Sequence, residues 1–504
     1  MDDISAFFIK ISIDYTADIL ADIINASFSN NFFPTRWKEA IVKPIPKNDN
    51  PVQASDYRPI SLLPAFSKIA EKIAAKQMST FLKEHKLLDK LQSAYKNAHS
   101  TTTALLTVSD DIFKAIDESE VTLLTLLDYS KAFDTANHRL ILAKLKHFGF
   151  HEDALSWILS YLSDRKQKVR TDSDSDWEYI SNGVPQGSIL GPLLFTVLVS
   201  DVSDNITTGK YHTYADDLQL LLTFKAEDSI QAHETTNTLL NNIAEYSSNN
   251  FLKLNTDKTK YILIGSQGNL KKVSEHDLPP LKLNGDILEK KSSVKNLGVI
   301  FDENMSWTDH LNTSICKAYG RLKQAYKFRK FLSLESRFTL IETYILSLFN
   351  YGDPLFLNIS AKLSNKIQRV QNSCMRFVFG LRKYDHISPA FGKNKTLNME
   401  NRRKMHALIL MHKITIGEAP EYLSEKIVRH ADLHDYNTRG RENIAVQRVN
   451  TSLRSNTFFI SISKLYNQIM PLINENNPER ISVGMFKTKC KKYITNQQFP
   501  QAAI

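Results

Sequence analysis

VTLLTLLDYSKAFD, residues 121–134, decides the fold. Val121 to Leu127 is a continuous β-prone apolar run closed by Asp128, the pattern of a buried strand that presents a carboxylate at its carboxyl end. Further on, YADD (214–217) lies between two β-prone runs, so residues 211 to 224 read as strand, tight turn, strand. Side chains alternate along a strand, so neighbouring aspartates inside one would face opposite ways. At a turn both can approach one site. Asp128, Asp216 and Asp217 therefore stand where a sheet could bring them together, although an Asp-Asp pair is also an ordinary turn former.

Three converging carboxylates suit Mg²⁺, which prefers hard oxygen ligands and typically takes one or two carboxylates together with substrate phosphates. Two such ions can stabilise both the attacking and the leaving oxygen of an in-line phosphoryl displacement.

Working outward, residues 4 to 32 carry apolar positions at helical spacing, interrupted near Ser12 to Tyr15, and read as two helices. Six prolines between Pro34 and Pro64 punctuate short extended pieces, IVKPIPK and DYRPISLL. Helical periodicity returns over 67–86, 101–116, 137–148 and 152–163. Lys168 to Ile180 reads as a hairpin whose acidic tip, DSDSD (172–176), is a solvated loop. Gly183 to Gly191 is a turn leading into an apolar segment. A helix over 228–249 and strands near 259–265 and 295–301 follow, and from 308 onward the pattern is mainly helical. The fold class expected is α+β.

The 504 residues suit about three domains. Lys and Arg exceed Asp and Glu by 64 to 54, a net charge of +10 that favours a polyanionic partner. Cys316, Cys374 and Cys490 form neither a CxxC pair nor a disulfide framework. No basic segment precedes the first apolar residues as in a secretory signal. The longest apolar stretch, Ile189 to Val199, is broken by Gly191 and Pro192 and is too short to span a bilayer. A soluble intracellular protein of nucleus or cytoplasm, without membrane contact, is expected.

In order along the chain, LLDYSKAFD (126–134), GVPQGSILGPLLF (183–195), YADD (214–217), FLKLNTDKTKYILIG (251–265) and NLGVIFD (296–302) resemble the successive palm motifs of reverse transcriptases. Upstream, FPTRWKEAIVKPIPK and DYRPISLLPAFSKIAEKI resemble the fingers of non-LTR (LINE-type) retrotransposon enzymes, close to jockey-like and CR1-like elements. The resemblance runs to about residue 440, taking in IQRVQNSCMRFVFG (367–380) and YNTRGR (436–441), and thins beyond. It implies a right-hand polymerase: an N-terminal extension and fingers over 1–120, an antiparallel palm with the remaining fingers elements over 121–302, a helical thumb over 303–385 and a mainly helical C-terminal region over 386–504.

The same resemblance implies Asp128, Asp216 and Asp217 as the catalytic triad, the Tyr129 carbonyl as a further metal ligand, and two Mg²⁺ ions, with Mn²⁺ as an alternative. Phe133 matches the steric gate against a ribose 2′-hydroxyl; its bland alternative is a core phenylalanine. Gln186 and Gly187 match the turn that lies against the incoming nucleotide, where glycine permits close backbone approach. Lys47 and Arg58 match triphosphate-binding positions, and Lys258 the residue that protonates leaving pyrophosphate. Leu297 and Gly298 match the primer grip. Arg321, Lys323, Lys327, Arg329 and Lys330, interleaved with Tyr319, Tyr326, Phe328 and Phe331, read as a thumb helix following the duplex. The partners implied are an RNA template, a DNA primer and deoxynucleotides.

Two departures stand out. Tyr95-Lys96 replaces an aromatic-Arg pair, and Asn137 stands where relatives commonly have Asp. Fingers-like sequence starts almost at Met1, so no endonuclease is expected on this chain, nor is a zinc knuckle. His430 and His434 lack a second ligand pair and read as surface residues. The rival readings are a non-catalytic RNA-binding remnant and an RNA-dependent RNA polymerase.

Overall fold

In the computed structural model, residues 6–433, 440–473 and 481–500 are described; His434 and most of the YNTRGR stretch lie outside them. Helix Ala6–Ser29 comes first. It is one helix and not the two expected, because Ser12 and Thr16 hydroxyls bond back to the carbonyls of Phe8 and Ser12 at 2.8 and 3.0 Å and so fit inside the helical ladder.

Strands β1 (Glu39–Pro46) and β2 (Tyr57–Leu62) follow as an antiparallel pair. After helices Ala65–Glu84 and Thr101–Asp117 comes β3 (Val121–Leu127), the strand read from the apolar run. Strands β4 (Arg165–Val169) and β5 (Glu178–Ile180) make the expected hairpin and join β1 in a sheet of order β2-β1-β4-β5. Its acidic tip is not merely solvated: Asp174 pairs with Lys168 at 2.6 Å and with Arg170 at 2.7 Å.

Strands β6 (Lys210–Tyr214), β7 (Asp217–Phe224) and β8 (Lys260–Ile264) build the central sheet around β3. Short strands β9 (Lys282–Leu283), β10 (Asp286–Ile287) and β11 (Glu289–Lys290), not foreseen from the sequence, follow. The central order is β11-β8-β3-β7-β6, with β3 antiparallel to both β7 and β8. Strands β12 (Ser293–Asn296) and β13 (Val299–Asp302) form the last hairpin.

Alternation along β3, β7 and β8 explains why these strands carry apolar side chains on both faces, with Thr122, Thr125 and Gln219 buried among them. Leu123, Leu220 and Leu263 enter one core with the helices His138–His147, Glu152–Leu162, Leu190–Leu198 and Ser229–Asn249. Leu124, Leu221 and Ile262 enter another, shared with helix Thr101–Asp117, the β12–β13 hairpin and the helices beyond residue 303. A sheet covered on both faces has no polar side to display. The second core runs unbroken from Phe377 and Val378 to Leu408, Met411 and Phe486, so the C-terminal region packs with the helices before it.

The basic-aromatic stretch around residue 326 differs from its expected single helix. Helix Thr308–Tyr326 ends there, and Arg329–Phe331 form a separate 3-10 turn. Among the described residues no helix is long and apolar enough to cross a membrane.

Candidate active site

Register places the three carboxylates. Leu127, the last residue of β3, pairs with Leu218 of β7, so Asp128 emerges beside the turn that joins β6 to β7. That turn is tight, with Tyr214 opposite Asp217 and Ala215 in the left-handed region at φ 56°. Asp128 is then held by an isolated antiparallel bridge between Tyr129 and Leu254: its carbonyl accepts from Asn255 N–H at 2.8 Å, and Ser130 N–H donates to the Lys253 carbonyl at 2.7 Å. This bridge leaves the Tyr129 carbonyl available, while the Tyr129 ring is buried with its hydroxyl 3.1 Å from Ser247 Oγ.

The electrostatics are those of crowded acids. Asp128 Oδ2 is buried and makes no hydrogen bond; Lys258 Nζ stands 3.5 Å away, at ion-pair distance but without bonding geometry. Burial raises the Asp216 pKa, and Asp128 raises it further against the opposing pull of Lys258 and Arg58. Asp217 is pushed up to about 6, by burial of its carboxyl first and then by Asp216 and Asp128, even though the residue as a whole opens to solvent. An orphaned buried oxygen among carboxylates that resist ionising together is the donor set a divalent cation relieves. Among the described residues no three His, Cys, Asp or Glu side chains enclose a metal by themselves. Phosphate and water would complete the shell, as is usual for Mg²⁺.

These shifts fix a sign. With divalent ions removed, native Asp217 keeps its proton up to about pH 6, whereas an unfolded chain releases it near 3.9. Between these values the native state binds more protons, so the carboxyl's contribution to stability is lost as pH rises through the window. Asp217→Asn is expected to melt above the parent at pH 7, with the gap closing towards pH 4. A gap that widened on acidification would contradict the shift.

Beside the acids, Phe133 stacks on Phe195 at 4.6 Å and meets Tyr95 edge-on at 6.5 Å, half-buried at the core's margin. Gln186 Nε2 donates to Asp134 Oδ1 at 2.9 Å, and its carbonyl accepts from Ser61 N–H at 2.7 Å, which docks the turn on β2. Gly187 has φ 127°, and a Cβ there would come within 2.5 Å of the Ser61 carbonyl oxygen, so only glycine fits. Arg58 is exposed, and its charge reaches Asp216. Lys47 is turned onto the Ser55 carbonyl at 2.8 Å. Lys96, half of the first departure, is likewise turned inward, donating to the Asp89 carbonyl at 2.5 Å. Asn137, the second, caps helix His138–His147 by accepting from Leu140 N–H, a task Asp would also perform.

Leu297 and Gly298 are the two central residues of the β12–β13 turn, at φ 42° and 87°. Tyr351 closes over it, its hydroxyl donating to the Leu297 carbonyl at 2.5 Å. The basic stretch divides. Lys323, Lys327 and Lys330 are exposed. Arg321 donates to the Tyr344 carbonyl at 2.5 Å and lies over that ring, and Arg329 donates to the Phe377 carbonyl at 2.6 Å. Both arginines thus brace neighbouring helices.

Sequence reasoning missed Glu71. This fully buried acid accepts from Ile189 and Leu190 N–H at 2.7 and 3.2 Å, capping helix Leu190–Leu198 and fixing the turn before it. Its signal was its place on the apolar face of helix Ala65–Glu84, four residues after Ser67 and next to Ala70.

Residues 45–301 match the family described as reverse transcriptase (RNA-dependent DNA polymerase), just over half of the 504 residues. The probable RNA-directed DNA polymerase from transposon BS of Drosophila melanogaster is 30% identical over 375 residues, 71% of this chain and 40% of that protein. The RNA-directed DNA polymerase from mobile element jockey of the same species is 27% identical over 386 residues, 74% of this chain and 41% of that one. The chain thus spans about two fifths of the length of these curated relatives. A structure of telomerase from Candida albicans with a fragment of telomeric RNA superposes at TM-score 0.36 and 13% identity, covering 78% of this chain and 68% of that one.

Proposed function

Because this chain belongs to the reverse transcriptase (RNA-dependent DNA polymerase) family, we propose that it adds deoxynucleotides to the 3′-hydroxyl of a DNA primer along an RNA template. It would do so inside the cell, in nucleus or cytoplasm, as the polymerase part of a non-LTR retrotransposon. The observation that carries this reading is the meeting of Asp128 with Asp216 and Asp217 at one end of the central sheet, with a buried Asp128 oxygen left unbonded.

In this reading Asp128, Asp216, Asp217 and the Tyr129 carbonyl hold two Mg²⁺ ions, or Mn²⁺ in their place. When bound, such ions neutralise charge on the attacking and departing oxygens. The primer 3′-hydroxyl gives its proton to solvent water as its oxygen forms a bond to the α-phosphorus and the bond to pyrophosphate breaks. Lys258, 62% exposed at its side chain and 3.5 Å from Asp128, is free to swing to the departing pyrophosphate and protonate it. Arg58 and Lys47 bind the triphosphate; Lys47 must first leave the Ser55 carbonyl. Gln186, held by Asp134, and Gly187 form the floor under the base pair.

Leu297 and Gly298 press on the primer, and Lys323, Lys327 and Lys330 meet duplex phosphates, with Arg321 and Arg329 bracing the surface that carries them. An N-terminal extension and fingers over 1–120, palm with the remaining fingers elements over 121–302 and thumb over 303–385 make up the hand, followed by a C-terminal region over 386–504.

Phe133 sets the sugar: backed by Phe195, it cannot retreat from a 2′-hydroxyl. Extension of a DNA primer on an RNA template, with deoxynucleotides and ribonucleotides supplied separately, tests the reading. Deoxynucleotide extension is expected, and Phe133→Ala is expected to raise ribonucleotide use about tenfold or more, the discrimination a steric contact can supply. Extension with ribonucleotides alone would identify an RNA polymerase. Salt-dependent binding of the hybrid without extension would identify a binding remnant.

A further inference from the structure

We propose that Gln92 is a positioning residue that sets the Tyr214–Asp217 turn, holding Ala215 in the conformation that brings Asp216 and Asp217 to one site. The proposal rests on the function given above.

Ala215 occupies the left-handed region at φ 56°, which L-residues other than glycine adopt only when their surroundings hold them there. The turn also hangs on the edge of its sheet, since β6 is the last strand in the order β11-β8-β3-β7-β6. What braces that edge is the segment Leu91–Ala94. Thr213 N–H donates to the Leu91 carbonyl at 3.1 Å and Ser93 N–H donates to the Thr213 carbonyl at 2.9 Å, making a parallel bridge between Gln92 and Thr213. From it the Gln92 side chain, only 3% exposed, reaches both backbone groups of Ala215. Its Oε1 accepts from Ala215 N–H at 2.9 Å, and its Nε2 donates to the Ala215 carbonyl at 3.3 Å. The same Oε1 accepts from Ala94 N–H at 2.9 Å, so the carboxamide is itself held from behind.

A carboxamide carries an acceptor and a donor side by side, and so can bond both backbone groups of one residue at once. A glutamate would keep both accepted bonds, repel the Ala215 carbonyl and add negative charge beside the acids. A methionine would fill the volume and make none of these bonds. Released from the clamp, Ala215 relaxes towards ordinary extended backbone, where Asp216 and Asp217, as neighbours, point to opposite faces.

The experiment compares the full chain with Gln92→Met, Gln92→Glu, Ala215→Gly and the Gln92→Met, Ala215→Gly pair. It reads kcat and KM for the hybrid, and amide hydrogen exchange across residues 210–218 without substrate. Gln92→Met is expected to lower kcat about 10- to 100-fold with KM nearly unchanged, and to speed exchange in that segment alone. Ala215→Gly adopts positive φ without the Cβ penalty, so it should recover kcat in the Gln92→Met background by about tenfold. Gln92→Glu should keep the Ala215 amide protected and still lose rate.

Unchanged exchange in Gln92→Met, or a loss of kcat that Ala215→Gly leaves untouched, would overturn the clamp. If Gln92→Met fails to fold, an unprotected Ala215 amide in Gln92→Glu would overturn it equally. A parent that extends no primer would count against the polymerase reading alone, and the exchange comparison would still decide the clamp.

Discussion

Asp128→Asn is expected to bind an RNA/DNA hybrid as the parent does and to extend its primer about 10³-fold more slowly, because several kcal/mol of charge stabilisation at the reacting oxygens depends on that carboxylate. Asparagine keeps the volume, removes the charge and replaces one acceptor oxygen with an amide donor. The backbone at residue 128 is fixed independently, by Asn255 N–H on its carbonyl and by the pairing of Leu127 with Leu218, so the site's shape should survive. Single-turnover extension at saturating nucleotide, beside hybrid binding by anisotropy, checks this. A variant within tenfold of the parent would mean that Asp128 is not at the reacting centre.

The largest effect on stability is expected at a buried charge cluster behind the central sheet. Asp110, on helix Thr101–Asp117, pairs with Arg454 and, at 2.8 Å, with Lys426. Asp110 and Arg454 are nearly inaccessible, at 7% and 4% exposure. Lys426 also binds Asp111 at 2.8 Å, so the cluster ties the C-terminal helices to the helix that backs the central sheet. Removing one member of a buried pair strands the other's charge, which costs about 3–5 kcal/mol. Asp110→Ala should therefore lose about that much in denaturant unfolding, with hydrogen exchange rising first around Arg454. Lys90, whose contacts with Glu421 and Glu425 are 3.8 and 3.6 Å long and exposed, makes the control, since Lys90→Ala should change stability by less than about 1 kcal/mol.

What could be read from the sequence had local causes. β3 was legible because a strand buried on both faces carries β-prone residues without a charge, here five aliphatic side chains with Thr122 and Thr125, and the 214–217 turn because two β-prone runs flank it. Those two readings place all three aspartates. Helix Ala6–Ser29 was misdivided because Ser12 and Thr16 read as interruptions, while their hydroxyls bond within the helix. The stretch from Arg321 to Phe331 misled for another reason. Its composition suits a nucleic-acid surface, but which cations stay exposed depends on the Tyr344 and Phe377 carbonyls, far along the chain. Glu71 and Gln92 belong to the same class, polar residues whose meaning lies in backbone groups far along the chain. No periodicity announces such a partner.

The central claim is that Asp128, Asp216 and Asp217 form a polymerase site, and primer extension tests it most directly. The purified chain would be given poly(rA)/oligo(dT), dTTP and Mg²⁺, beside an Asp216→Ala, Asp217→Ala double variant that is folded and still binds the hybrid. Extension by the parent and none by the variant is the result predicted. Equal extension by both would contradict the site, and its source would have to be sought elsewhere.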